Sequence, residues 1–269
     1  VSLTKSCYVL RVALTGYSRL LYKKPTSSSK LSDRERLHYL VAMKNRITSI
    51  LLLVHFCLLP LFASQTGEGL SLEAQLQKQG LVNIHSLAPD ILVELKYSTL
   101  DNFLAADTYD ELENCYLQPK AAAMLKEAQD LLKKSHPELS LLVYDGARPR
   151  SVQRKMWALV VNTPSEDYVA NPNRGSVHNF GSAVDLTIAT LDGVPLDMGT
   201  AFDYFGQLAQ PRHEDRFLKE KKLTRQQIDN RQLLRDVMTR AGFLSISIEW
   251  WHFNAVPVKV ARTQYKIIE

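Results

Sequence analysis

Ser176-Val177-His178-Asn179-Phe180-Gly181-Ser182-Ala183-Val184-Asp185-Leu186-Thr187-Ile188 runs from a turn into a strand, and the fold can be read outward from it. Residues 183–188 alternate: Val184, Leu186 and Ile188 fall on one face, Ala183, Asp185 and Thr187 on the other. The carboxylate therefore sits on the less apolar face, where it can point into a cleft. Gly181 permits a sharp bend, so a loop residue, His178, and a strand residue, Asp185, can converge although they are seven positions apart.

Much later the chain reads Glu249-Trp250-Trp251-His252. His178, Asp185 and His252 are two imidazoles and one carboxylate, the ligand set of an open catalytic zinc site. Glu249 adds a second carboxylate, able to take a proton from an attacking water. Three ligands, a free coordination position and a base predict a hydrolase. In a flat strand, residues three apart face opposite sides. Glu249 and His252 can therefore serve one site only if the chain turns at the two tryptophans, and that turn is predicted. The plainer alternative makes Glu249 a surface strand residue and the tryptophans core packing. The two roles are compatible for the tryptophans, which would also dry the site.

Around this centre, residues 139–144 read as a buried strand, broken by Asp145-Gly146-Ala147-Arg148-Pro149. Residues 91–97 read as a strand. Pro119 opens a helical pattern through Lys134, with Met124, Leu125, Ala128, Leu131 and Leu132 as its apolar side. Ser151 can cap a helix running to Val161, and residues 162–177, rich in Asn, Pro, Ser and Gly, read as a loop. The charged segment 212–240 contains a helix with Ile228, Leu233, Leu234 and Val237 inward; Gly242 ends it, and 243–249 reads as a strand. There are no internal repeats. Strands and helices do not alternate regularly, which predicts a single α+β domain: an antiparallel sheet with helices packed on it and the zinc site in a cleft on the sheet.

The ends read differently. From Met43 the chain has a basic start, an apolar run over 47–62 and Ala63-Ser64, the pattern of a secretory signal peptide over 43–63. His55 and Pro60 interrupt the run, which is shorter than the roughly 20 residues a membrane span needs. No stable membrane insertion is expected after cleavage, with an uncleaved anchor as the alternative. Residues 1–42 are read as an extension that is disordered or not translated, 64–80 as a linker and 81–269 as the catalytic domain. Residues 1–63 hold 10 of the 33 Lys and Arg but 2 of the 28 Asp and Glu, leaving 64–269 with 23 basic and 26 acidic groups, net −3. The basicity is thus an end effect and gives no support for a nucleic-acid partner. Cys7 and Cys57 lie in the part to be removed, so Cys115 is expected as a lone buried thiol.

The spaced set Ser176, His178, Gly181, Ala183 and Asp185, with Glu249-Trp-Trp-His252, resembles the zinc D-alanyl-D-alanine peptidases that include the vancomycin-resistance dipeptidase. Three stretches resemble the dipeptidase branch in particular: 96–103 (Lys-Tyr-Ser-Thr-Leu-Asp-Asn-Phe), 144–149 (Tyr-Asp-Gly-Ala-Arg-Pro) and 198–203 (Met-Gly-Thr-Ala-Phe-Asp). The likeness runs in order from about residue 82 to about 254. It implies one Zn2+ held by His178, Asp185 and His252, Glu249 as the catalytic base, and Arg148 stabilising the transition state. It further implies Asp203 at the substrate's amino group, Ser176 at its carboxylate and Tyr97 lining the pocket. The substrate implied is the dipeptide D-Ala-D-Ala, hydrolysed in cell-wall peptide turnover.

The alternatives are a carboxypeptidase of the same superfamily acting on longer stem peptides, and a non-catalytic wall-binding module. The first would not need Asp203; the second would be expected to lack Glu249 or Arg148. Taken singly, Arg148 can be a turn residue in a surface ion pair, Asp203 a helix cap and Ser176 a loop stabiliser. The signal peptide implies a periplasmic or secreted location, cytoplasmic if it is not used.

Overall fold

The centre of the fold is strand β5 (Ala183–Thr190), buried on both faces over almost all its length. The computed structural model describes residues 70–109 and 112–269. The extension read over 1–42 and the signal peptide read over 43–63 lie outside the described residues. The described residues form one compact unit.

Four further strands join β5 in a sheet of order β2-β4-β5-β7-β6: β2 (Leu92–Val93), β4 (Leu139–Asp145), β6 (Leu244–Ser245) and β7 (His252–Asn254). A two-stranded antiparallel pair, β1 (Val82–Asn83) with β3 (Tyr116–Leu117), stands beside it. From β4 to β6 the large sheet is antiparallel, as expected. Its edge strand β2 runs parallel to β4. A parallel pair needs a long crossover, and the chain between them supplies one that includes a helix.

That helix is α2 (Pro119–Ser135), begun by a proline in its first turn and ending on Lys133 and Lys134, which suit its negative C-terminal end. Its buried side, Ala121, Ala122, Leu125, Ala128 and Leu132, packs with β5's Val184, Leu186 and Ile188 in the main core. Helix α5 (Arg225–Arg240), opened by a Thr224–Gln227 capping box, adds Leu234, Val237 and Met238 to the same core. On the opposite face Ala183 and Ala189 belong to separate small clusters, with Asp185 and Thr187 between them. The period-two reading of β5 therefore separates core from site.

The other helices are α1 (Leu72–Lys78), α3 (Arg150–Val160), α4 (Glu214–Lys219) and α6 (Val258–Gln264). Among the described residues no helix is long and apolar enough to cross a membrane.

Four local expectations are corrected. The linker read over 64–80 is helical at α1, because Ser71 caps it and Leu76 reaches the core. The strand over 91–97 is only β2; the chain then leaves the sheet in a 3-10 turn, Lys96–Ser98, that buries Tyr97. Ser151 does not cap α3, whose N-cap is Pro149. The strand over 243–249 shrinks to β6, and the longer strand lies beyond the tryptophans as β7.

Gly181 ends the 3-10 turn Val177–Phe180 at φ 63°, and a Cβ there would stand 2.7 Å from Leu81 Cδ2. Gly181→Ala therefore meets both a left-handed backbone and a packed neighbour. Urea unfolding should show a loss of about 2 kcal/mol; an unchanged midpoint would contradict this account of the turn.

Candidate active site

Strand register assembles the site. Asp145 of β4 pairs with Asp185 of β5, and Asp185 pairs with His252 of β7, so three side chains stand in one row across three strands. The β4–β5 ladder shifts register between Val143 and Asp145, a bulge that turns the end of β4 toward this row. The 3-10 turn then brings in His178 from the side.

Asp185 Oδ1 lies 2.9 Å from His252 Nδ1 and 3.3 Å from His178 Nε2, and the two nitrogens are 3.1 Å apart. In tetrahedral zinc sites with bonds of about 2.0–2.1 Å, donor atoms stand about 3.3 Å from one another. The donor set and its spacing therefore fit a small divalent ion. The far side of each ring is committed elsewhere. His178 Nδ1 donates to the Gly146 carbonyl at 2.8 Å, and His252 Nε2 donates to Asn254 Oδ1 at 2.9 Å. Those bonds leave the lone pairs of His178 Nε2 and His252 Nδ1 facing the same point as Asp185. Burial opposes ionisation of Asp185, but when those two nitrogens carry protons instead, their charge and hydrogen bonds outweigh burial and hold the carboxyl well below its usual range.

The chain bends at Trp250 and Trp251, and Leu186 N donates to the Trp251 carbonyl at 3.1 Å. This turn brings Glu249 to His252's side, with Oε2 4.0 Å from Nδ1. Glu249 is buried, and burial pushes its carboxyl up to about 8. Both tryptophans are buried in the core as well, Trp251 also walling the cavity.

Arg148 follows the bulge and is buried. Nε and Nη2 both donate to Asp145 Oδ2, the first at 2.8 Å. Nη1 donates to Gln153 Oε1 at 3.1 Å, and Nη2 stands 3.4 Å from Asp185 Oδ2. By this count one Nη1–H has no partner among the described residues. The guanidinium lies 5.1 Å above the Tyr97 ring. Burial works against its charge, and the carboxylate of Asp145 outweighs burial, so the group stays protonated. Arg148 is therefore not the exposed turn residue that its sequence context alone allows.

Tyr97 donates its hydroxyl to Asp203 Oδ2 at 2.9 Å. Asp203 holds a left-handed backbone, φ 59°, and burial pushes its carboxyl up to about 7. It caps no helix, since Gly206 takes the N-cap of the next 3-10 turn. Ser176 does stabilise its loop: its Oγ accepts from His178 N, and Asn179 Oδ1 accepts from Ser176 N in return. Tyr97, Arg148, Ser176, His178, Asp185, Asp203, Glu249 and His252 all line one cavity of about 300 Å³, the lower end of small-ligand sites.

Three supporting residues escaped the sequence reading. Asp145 anchors Arg148 and accepts the Tyr109 hydroxyl at 2.5 Å. It stood in view within the 144–149 stretch, three positions before the arginine. Asn254 follows His252 by two, the spacing that shares a strand face, so that contact was legible once β7 was drawn. Gln153 reaches Arg148 from the first turns of α3 and carries no local signal. Cys115 is a buried free thiol, pushed up by burial and packed against Gly146.

The chain is similar in sequence to known proteins over most of the described residues. The sequence profile described as D-ala-D-ala dipeptidase matches residues 77–268. The D-alanyl-D-alanine dipeptidase of Escherichia coli K12 is 34% identical over 174 residues, covering 65% of this chain and 83% of the relative. The protein of the same name from Enterococcus faecalis V583 is 29% identical over 196 residues, 66% of this chain and 93% of the relative. One from Synechocystis is 29% identical over 160 residues, 48% of this chain and 65% of the relative. The matched span takes in both sheets, the eight cavity residues named above and the helices behind them, and the chain belongs to the D-ala-D-ala dipeptidase family of metallopeptidases.

Proposed function

We propose that this chain hydrolyses D-alanyl-D-alanine to two D-alanines, with one Zn2+ at His178, Asp185 and His252. The observation that carries the proposal is a single small cavity enclosing the His/Asp/His set, a buried glutamate, a buried arginine and a separate carboxylate, Asp203. A zinc ion held there would polarise the scissile carbonyl, lower the pKa of the attacking water toward about 7 and favour the ionised form of Glu249.

The protein's own groups do the rest. Glu249, beside His252 Nδ1, takes a proton from the attacking water and returns it to the leaving amine. Arg148 offers its remaining Nη1–H to the oxygen that gains charge, and its fixed pairing with Asp145 and Gln153 means no reorganisation at that moment. Asp203 receives the substrate's ammonium, steadied by the Tyr97 hydroxyl. Ser176, whose hydroxyl hydrogen is not used by its capping contact, donates to the carboxylate end. A charged group for the free amine favours a dipeptide over the interior of a longer peptide. The basic start, apolar run and small residues over 43–64 support export, so the proposal places the enzyme in the periplasm or outside the cell, trimming dipeptide released in wall turnover.

Glu249→Gln should lower kcat on D-Ala-D-Ala by about 10³-fold while zinc still binds, read by calorimetry on the chelated protein. Chelation should silence the wild type and zinc restore it. A zinc-loaded wild type that spares the dipeptide but shortens a stem pentapeptide would replace this reading with the carboxypeptidase.

Asp203 must be ionised to hold an ammonium, and its raised pKa means that this happens only above about 7. On the acid side, kcat/KM for D-Ala-D-Ala should fall as the pH drops through about 7. Asp203→Asn should lower kcat/KM about 100-fold and remove Asp203's share of that limb, leaving only the fall set by ionisation of Glu249. A variant keeping the wild-type pH profile would remove Asp203 from amine recognition.

N-terminal sequencing of the protein exported from its native cell should begin close to Ser64. Protein retained in the cytoplasm with residues 43–63 intact would contradict the location proposed.

A further inference from the structure

Asp203 sits on the connection over 191–213 between β5 and α4, and that connection is gripped from behind by one face of α5. Gln227, Asn230 and Arg231 are spaced i, i+3 and i+4, so they project together. Gln227 Nε2 donates to Asp197 Oδ2 at 2.9 Å, and Asn230 Nδ2 donates to the Asp197 carbonyl at 2.8 Å. Arg231 does more. Its Nε donates to the Met198 carbonyl at 2.6 Å and its Nη2 to the Leu208 carbonyl at 3.0 Å. One planar guanidinium thus joins both stems of the segment whose tip is Asp203.

Arg231 is 1% exposed and does not line the cavity. Burying a guanidinium is expensive unless it is paired and hydrogen-bonded, and here Glu214 Oε1 stands 3.5 Å from Nη1. An apolar residue would fill the same space without that cost, but it could not tie two main-chain carbonyls. Lysine could not hold both in a fixed fork either.

The tip needs such holding. Asp203 keeps a left-handed backbone, which a non-glycine residue sustains only when its surroundings impose it. Two further contacts hold the segment against the tryptophans: Trp250 Nε1 donates to Thr200 Oγ1 at 2.8 Å, and the Phe202 ring lies 5.4 Å from that of Trp251. With Arg231 behind and the tryptophans in front, Asp203 is set in place relative to Glu249.

We propose that Arg231 is a positioning residue for amine recognition: by drawing the Met198 and Leu208 carbonyls onto one guanidinium, it fixes Asp203 at the amine end of the cavity and so sets the preference for a free amino group. This rests on the role given to Asp203 above.

The test is a double-mutant cycle in kcat/KM on D-Ala-D-Ala, using the zinc-loaded full chain with Arg231→Lys, Asp203→Asn and both together. Arg231→Lys should raise KM about tenfold with kcat within about threefold of wild type. In the Asp203→Asn background the same change should alter kcat/KM by less than about twofold, because the residue it positions is already gone. Asn230→Ala, which loosens the same stem more gently, should repeat the pattern at about a third of the effect or less, and it serves if Arg231→Lys lowers the melting temperature too far. Equal losses in both backgrounds, or a fall in kcat at constant KM, would overturn the inference while leaving the dipeptidase reading intact. A wild type that does not cleave the dipeptide at all would overturn both.

Discussion

Asp145 and Arg148 form a buried ion pair at the end of β4, and most of the site is arranged around it. Removing either partner would leave an uncompensated charge in the interior, which is far more costly than the pair is worth. The pair is over-determined for that reason. Asp145 also accepts from Tyr109 and from Gly146 N, and Arg148 also reaches Gln153 and Asp185. The Gly146 carbonyl then fixes the tautomer of His178, while Asn179 Nδ2 donates to the Arg148 carbonyl at 2.8 Å. One bulge and one ion pair therefore determine where an imidazole and a guanidinium point.

The cavity carries a surplus of negative groups. Asp185, Glu249 and Asp203 line it with Arg148 as the central cation, and Asp145 already claims that arginine. Burial, only partly opposed by His252 at Glu249 and by the Tyr97 hydroxyl at Asp203, pushes these carboxyls up to about 8 and about 7, toward their neutral forms. Two further cations would relieve the excess: a divalent ion among His178, Asp185 and His252, and an ammonium beside Asp203. The charge imbalance of the protein by itself is thus complementary to a metal ion and a free amine, without reference to any relative.

How much of this the sequence disclosed follows from which interactions are local. Alternation along residues 183–188 separates core from site without tertiary information, and the proline start and apolar side of α2 are equally local. Short strands are less legible. Residues 91–97 look like one, yet the sheet uses two of them because burying Tyr97 against Asp203 pulls the chain away. The 243–249 segment failed similarly: Leu244 alone of its apolar residues joins a ladder, while Phe243 enters the core and Ile246 and Ile248 serve the cavity wall. Gln153 and Arg231 were illegible in principle. A buried glutamine or arginine on a helix reads as a surface residue until its partners, remote in sequence, are brought alongside.

The two tryptophans show why a site can violate strand periodicity and still be rigid. Glu249 and His252 would diverge in a regular strand. Here β6 ends at Ser245 and the next hydrogen bond to the sheet is at the Trp251 carbonyl, so residues 246–250 are released from the ladder. A released segment beside a reactive centre would normally be mobile, and a base that moves by an ångström loses much of its effect. Burying two large rings at the bend counters this. They pack edge to face at 5.3 Å, Trp251 closes against Phe202, and Trp250 ties to Thr200. The same pair thus turns the chain and links Glu249 to the loop that carries Asp203, so that base and amine anchor are held against a common wall.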